Sequence, residues 1–229
     1  MLSQHTGNRW FLAPLTRLAV ITGVCWAMMG MYLFINRRQS GAITTVEMPE
    51  WVPFWPVFIV PYLGLLMVTW FLPVTLRDRG RLFACLQAYA VAWVLVAPWW
   101  VLTPTMLPRP PLPEGFWAPV FAWIWKLDQP FNVTPCAHAV GPIIAAWFAA
   151  REYPAWRWPL AALLLLTLPS IAFVWQHRPI DIVLGAVAAG VGIAAAEMVV
   201  RRKQRRLSPS GAFAEEGDAL PLARSSKEK

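Results

Sequence analysis

The sequence predicts an all-α, polytopic membrane protein with six transmembrane helices and an interfacial helix before the fourth span. Three observations carry this reading. Hydrophobic residues make up 58% of the chain and charged residues 14%, where soluble domains hold roughly 45–50% and about 25%. The apolar residues are gathered into runs near the roughly 20 residues that cross a hydrocarbon core as a helix with its backbone satisfied internally. Lys and Arg stand at the ends of those runs, the placement that sets membrane orientation.

Taken in order, Arg9 and Arg17 precede 18-LAVITGVCWAMMGMYLFI-35, which is too long for the apolar core of a secretory leader and lacks a small-x-small cleavage site. It is expected to be retained as the first span, over 15–36. Further spans are expected over 54–76, 82–103, 136–151, 155–175 and 179–200, the fourth being short. Between the third and fourth, 104-PTMLPRPPLP-113 cannot continue a helix, and the Trp-rich run 115-GFWAPVFAWIWK-126 is too short to span. That run should lie in the interface as a lid or shelf. Residues 1–206 then form one six-helix domain, and 207–229, poor in large apolar residues, a disordered cytoplasmic tail.

Basic loops at 77-RDRGR-81 and 151-REYPAWR-157 and the tail 201-RRKQRR-206 place both termini in the cytoplasm. The 104–135 and 176–178 loops then share the outer face, which is periplasmic if the host membrane is a bacterial inner membrane. The formal net charge of +8 is accounted for by these run-end clusters, so nucleic acid is not an expected partner. Cys25, Cys85 and Cys136 form no disulfide framework. Trp51, Trp55, Trp99, Trp100, Trp117 and Trp125 are expected in the interfacial belts, and Gly185, Gly190 and Gly192 to permit close helix packing.

Chemistry concentrates in two stretches. In 126-KLDQPFNVTPCAHAVGP-142, Thr134 reads as a helix N-cap with Pro135 at the first helical position, which puts His138 in the first turn of the fourth span. The sequon formed by Asn132, Val133 and Thr134 is discounted on that ground. In 176-QHRPIDIVLG-185, Pro179 opens the sixth span with Asp181 in its first turn and His177 just before it. With both helix starts on one face, the two histidines are expected to meet. Free N–H groups at such starts favour phosphate. A phosphate between two imidazoles is cleavable without a metal, one neutral ring attacking phosphorus and the other, protonated, donating to the departing alkoxide. Asp181 is expected to accept the N–H of His177 and select its attacking tautomer. Arg109, Lys126 and Arg178 are the outer-face cations available to the phosphoryl oxygens, although Lys126 also suits snorkelling from a Trp-rich run.

These residues resemble the motifs of the type 2 phosphatidic acid phosphatase superfamily: Arg-Pro, then Pro-Ser-x-His, then Ser-Arg-x5-His-x3-Asp. The counterparts are 108-PRP-110, 135-PCAH-138, and Ser170 with His177 and Asp181 at the motif spacing. The segment 128-DQPFN-132 is similar to the Asp-x-Pro-x-Asn of the branch that includes inositol phosphorylceramide synthases. Cys136 stands where the motif has serine, Ile171 where it has arginine, and Leu102 where a lysine is expected ahead of Arg109.

The resemblance spans roughly residues 100–195. It implies a six-helix membrane enzyme, without cofactor, that removes or transfers a phosphate of a lipid through a phosphohistidine. It makes His177 the nucleophile, Asp181 its orienting partner, His138 the general acid and Arg109 a phosphate ligand, with Cys136 at a phosphate-contact position. Lys126 and Arg178 are added from position alone. Two other readings stay open on the residues. The chain could bind phospholipid without turnover, or Cys136, His138, His177 and Asp181 could hold zinc in a metal-dependent hydrolase.

Overall fold

The computed structural model describes residues 14–39 and 42–207. The expected tail after Leu207 and the flanking Arg9 lie outside the described residues. The chain folds into helices α1 (Pro14–Arg37), α2 (Ile59–Phe71), α3 (Arg79–Leu102), α4 (Ala118–Leu127), α5 (Ala137–Glu152), α6 (Arg157–Thr167), α7 (Ser170–Phe173) and α8 (Pro179–Leu207). Single 3-10 turns precede α2, α4 and α6, and another follows α2. Counting contiguous helical segments, five are long and apolar enough to cross a membrane: Pro14–Arg37, Pro56–Thr75, Arg79–Leu102, Pro154–Phe173 and Pro179–Lys203. The chain is a multi-pass membrane protein.

The fourth expected span, α5, differs. Its 16 residues rise about 24 Å at 1.5 Å per residue, short of a hydrocarbon core of about 30 Å. It is instead the most enclosed helix, packed against α2, α3, α6 and α8, with Ala139, Val140, Ile144, Ala145, Phe148 and Ala149 buried. The other helices present large apolar side chains outward, among them Trp26, Val60, Val94, Leu165, Val183 and Val187, as lipid contact requires.

Close helix approach centres on two of the three glycines anticipated for it. A Cβ at Gly192 of α8 would sit 2.4 Å from the Ala88 carbonyl oxygen of α3, and one at Gly185 would sit 2.2 Å from that of Cys136. Gly190 faces open space, so it serves no crossing. Gly141 does: a Cβ there would meet Thr69 of α2 at 2.4 Å.

The end of the bundle where α1 and α3 finish and α5 and α8 begin is tied together by connecting segments. Strands β1 (Thr44–Thr45) and β2 (Thr105–Met106) pair in parallel, Thr44 opposite Thr105, joining the loop after α1 to the loop after α3. The Trp-rich run forms the short helix α4, which buries Phe121 and Ile124 in a cluster with Ile59, Tyr62, Leu65, Cys136 and Val174. Trp100 leaves the expected belt: it is fully buried, because its indole N–H donates to the Pro135 carbonyl at 3.0 Å.

Candidate active site

The starts of α5 and α8 are joined before any functional side chain is considered. The Cys136 N–H donates to the Asp181 carbonyl at 3.0 Å, directly over the place where Gly185 lets the two backbones approach. Cys136, not Thr134, is the N-cap of α5, with extended backbone angles of −77° and 108°. Thr134 is displaced from capping because its hydroxyl donates to Asp181 Oδ1 at 2.6 Å.

Asp181 is fully buried and accepts four donors. Besides Thr134, these are the Arg178 backbone N–H at 3.0 Å, its Nε at 3.0 Å and its Nη2 at 2.9 Å. The backbone bond is half of a capping box, with an acidic side chain in the first turn reaching back to the residue before the helix. The other two form a bidentate guanidinium pair. Arg178 also donates Nη2 to Thr134 Oγ1 at 3.1 Å. Asp181 and Arg178 therefore form a clasp between the segment before α5 and the start of α8. Neither takes its expected role: Asp181 receives nothing from His177, and Arg178 is neutralised by Asp181.

His177 turns the other way. Its Nδ1 lies 2.6 Å from the Val133 carbonyl oxygen and its Nε2 lies 2.8 Å from His138 Nδ1. The two histidines meet, as expected. A carbonyl only accepts, so Nδ1 of His177 carries the proton and Nε2 presents its lone pair. His138 Nδ1 must then be the donor between the rings. Burial pushes the His177 pKa well below 6.5, helped by the neighbouring His138 ring and the Arg109 and Arg178 cations and opposed by the Val133 carbonyl. His177 is thus a neutral base at pH 7, with its reactive nitrogen aimed at a donor.

The far nitrogen of His138 meets a carboxylate that sequence reasoning had not assigned to the site. His138 Nε2 lies 3.9 Å from Asp128 Oδ2, while Asp128 Oδ1 accepts the Tyr32 hydroxyl at 2.5 Å. The Asp128 segment is held from α1. The buried Asn36 side chain donates to the carbonyls of Gln129 and Phe131 at 3.1 and 3.0 Å and accepts from the Gln129 N–H at 3.0 Å. Asn132 adopts φ of 59°, a left-handed conformation that asparagine tolerates. Its amide is fixed by Gln39 Nε2 at 2.5 Å and by the Tyr32 carbonyl at 3.4 Å. The one signal in the sequence that pointed to Asp128 was its place in 128-DQPFN-132.

Arg109 reaches the site, and no carboxylate pairs with it among the described residues. Its Nη1 donates to the Trp175 carbonyl at 2.9 Å and its Nη2 to the Asp128 carbonyl at 3.3 Å, with the guanidinium 6.0 Å from the Trp125 ring centre. Its Nε is buried without a partner among the described residues. Cys136 is fully buried, and its sulfur lies within 4.8 Å of a ring nitrogen of each histidine. Asp181 does not belong to that group, so the four-ligand zinc set expected from sequence reduces to three. Lys126, in the last turn of α4, is exposed, and its side chain makes no hydrogen bond among the described residues. Ser170 is buried and bonds the Thr167 carbonyl, while the Ile171 carbonyl accepts the Gln176 N–H at 3.0 Å and shapes the turn into His177.

Beside the dyad lies an apolar pocket of about 80 Å³, open to the surface, between α1, α2, α3 and the start of α5. Met28, Met29, Leu66, Trp70 and Trp93 line its body, and His138 and Tyr32 border it. The arrangement is a neutral imidazole base, a donor imidazole backed by a carboxylate, and a cation nearby, at the head of an oily cleft. No family model matches the chain, and no match came from the curated proteins or the solved structures.

Proposed function

We propose that the chain is a metal-independent lipid phosphate phosphatase or phosphotransferase that works through a phosphohistidine. The observation that carries the reading is the 2.8 Å contact between His177 Nε2 and His138 Nδ1, with the His177 tautomer set by the Val133 carbonyl. The resemblance to the type 2 phosphatidic acid phosphatase motifs supports it, as does the apolar cavity bordered by His138. In this reading α5 is a short fourth span, α4 lies in the interface, and the site faces the periplasmic side of a bacterial inner membrane.

A lipid phosphate places its acyl or prenyl chain in the cavity and its phosphoryl group between the rings. Reacting atoms sit about 3–3.5 Å apart before attack, so the group must part the two imidazoles and take the place of their hydrogen bond. His177 Nε2 then forms a bond to phosphorus as the bond from phosphorus to the lipid oxygen breaks. His138, protonated with its Nε2–H toward Asp128, gives its Nδ1 proton to the departing alkoxide. Neutral His138 next takes a proton from water or a lipid hydroxyl, whose oxygen displaces His177 from phosphorus. Arg109 offsets the charge spread over the phosphoryl oxygens.

The test is phosphate release from a panel of lipid phosphates in detergent micelles, with and without a strong chelator, comparing the natural chain with His177→Ala. Histidine-dependent release that survives chelation is the expected result. Retention of the rate in His177→Ala overturns the assignment. Binding of the lipids without release or transfer to an alcohol acceptor moves the chain to a binding role.

A further inference from the structure

We propose that Cys136, His138 and His177 form a binding site for a soft divalent ion, Zn(II) in the first place, and that the ion acts as a reversible inhibitor of the dyad. One ligand atom of each residue lies within 4.8 Å of the other two. One sulfur and two imidazole nitrogens on a tetrahedral ion leave the fourth position for water, a ligand set that favours zinc over magnesium or calcium.

The surroundings fit ligation as well as the three atoms do. A metal-bound histidine is usually oriented by an oxygen acceptor on its other nitrogen; His177 has one, and a carboxylate lies near the far nitrogen of His138. The Val133 carbonyl lies 2.6 Å from Nδ1 of His177, and Asp128 Oδ2 lies 3.9 Å from Nε2 of His138. With an ion on its Nδ1, neutral His138 moves its proton to Nε2, where it faces Asp128. The Cys136 thiol releases its proton to solvent, so each ion bound to the neutral site frees one proton. The thiolate formed lies at the N-terminus of α5, where the helix dipole and the ion together offset the cost of holding it in a buried place.

With metal–nitrogen bonds of about 2.0–2.1 Å, two tetrahedral nitrogen ligands stand roughly 3.3 Å apart. The rings at 2.8 Å must open slightly, a smaller separation than a phosphoryl group demands. Cys136 is also the residue where this chain departs from the serine of the motif it resembles, and serine supplies no soft ligand. The binding site stands on these residues alone; only the inhibitory consequence rests on the phosphotransfer reading.

The experiment uses the full chain in detergent, stripped with chelator and titrated with Co(II) and then Zn(II). The expected result is a thiolate-to-cobalt charge-transfer band in the near ultraviolet that Zn(II) displaces. Cys136→Ser should abolish the band and weaken Zn(II) binding by more than the roughly 10–100-fold that second-shell changes cost. A Co(II) spectrum of the natural chain without a thiolate band overturns the site whatever the variant does, and so does equal Zn(II) affinity in Cys136→Ser. The spectrum requires no turnover, so a chain that binds Co(II) through thiolate yet, once stripped of metal, releases no phosphate overturns the enzyme reading and leaves the metal site standing.

Discussion

The Nδ1–H of His177 donates to the Val133 carbonyl at 2.6 Å, and that bond determines which nitrogen of the ring can react. A backbone acceptor does not titrate. It holds the tautomer at any pH where the loop keeps its shape, which a carboxylate would do only while ionised.

Acid should destabilise the fold through this ring. The folded pKa of His177 lies well below its unfolded value of 6.5, so below about pH 6.5 the unfolded chain binds a proton that the folded chain refuses. Stability is then fully present above pH 6.5 and is lost as pH falls toward the folded pKa. Thermal unfolding in detergent should show the midpoint dropping between about pH 7 and pH 5, with a flatter profile in His177→Gln.

Asp128 and Asp181 should separate into chemistry and architecture. Asp181→Ala removes the carboxylate that Arg178 and Thr134 grip and leaves the guanidinium unpaired, a loss of about 3 kcal/mol. Its turnover, at temperatures where it stays folded, should keep the natural pH profile. Asp128→Asn should remain closer to natural stability while its turnover falls and its pH profile shifts. An unshifted profile in Asp128→Asn would remove Asp128 from the proton path.

Gly185→Ala and Gly190→Ala differ only in what the added methyl meets. At Gly185 it strikes the Cys136 carbonyl at 2.2 Å, while at Gly190 it meets nothing. The first should cost about 1–3 kcal/mol and loosen the start of α5. The second should stay within about 0.5 kcal/mol of the natural chain. Paired melting curves check this.

Filling the cavity should discriminate by substrate tail. Met29→Trp puts a larger ring into the space between α1, α2 and α3. KM for a long-chain lipid phosphate should rise about tenfold, a change on the order of 1.4 kcal/mol, while a short soluble phosphate monoester is turned over at the natural rate. Equal effects on both would show that the cavity does not hold the chain.

The apolar runs located the long helices because a bilayer admits so few backbone arrangements, and the positions of His138 and His177 at two helix starts on one face sufficed for them to meet. The partner of His177 was out of reach. Val133 offers only its backbone, and that carbonyl is aimed by a loop whose shape depends on the left-handed Asn132 and on side chains from α1. Asp181 misled because an acid near a histidine and an arginine can serve either, and the fold chose Arg178. Trp100 misled for a related reason: position along the chain puts it near an interface, whereas the Pro135 carbonyl draws it inward.

The clamp from α1 also orders events in time. Asn36 leaves the ribosome with the first helix, and its partners at Gln129 and Phe131 follow 93 and 95 residues later. At about 5–20 residues per second, a helix end carrying a buried amide waits on the order of 5–20 seconds for the carbonyls that satisfy it. During that interval Tyr32 has no Asp128 to hold and neither histidine has been made. The far end of the earliest helix is therefore locked only once the chain has reached Phe131, and the dyad waits longer still, because His177 follows Phe131 by 46 residues.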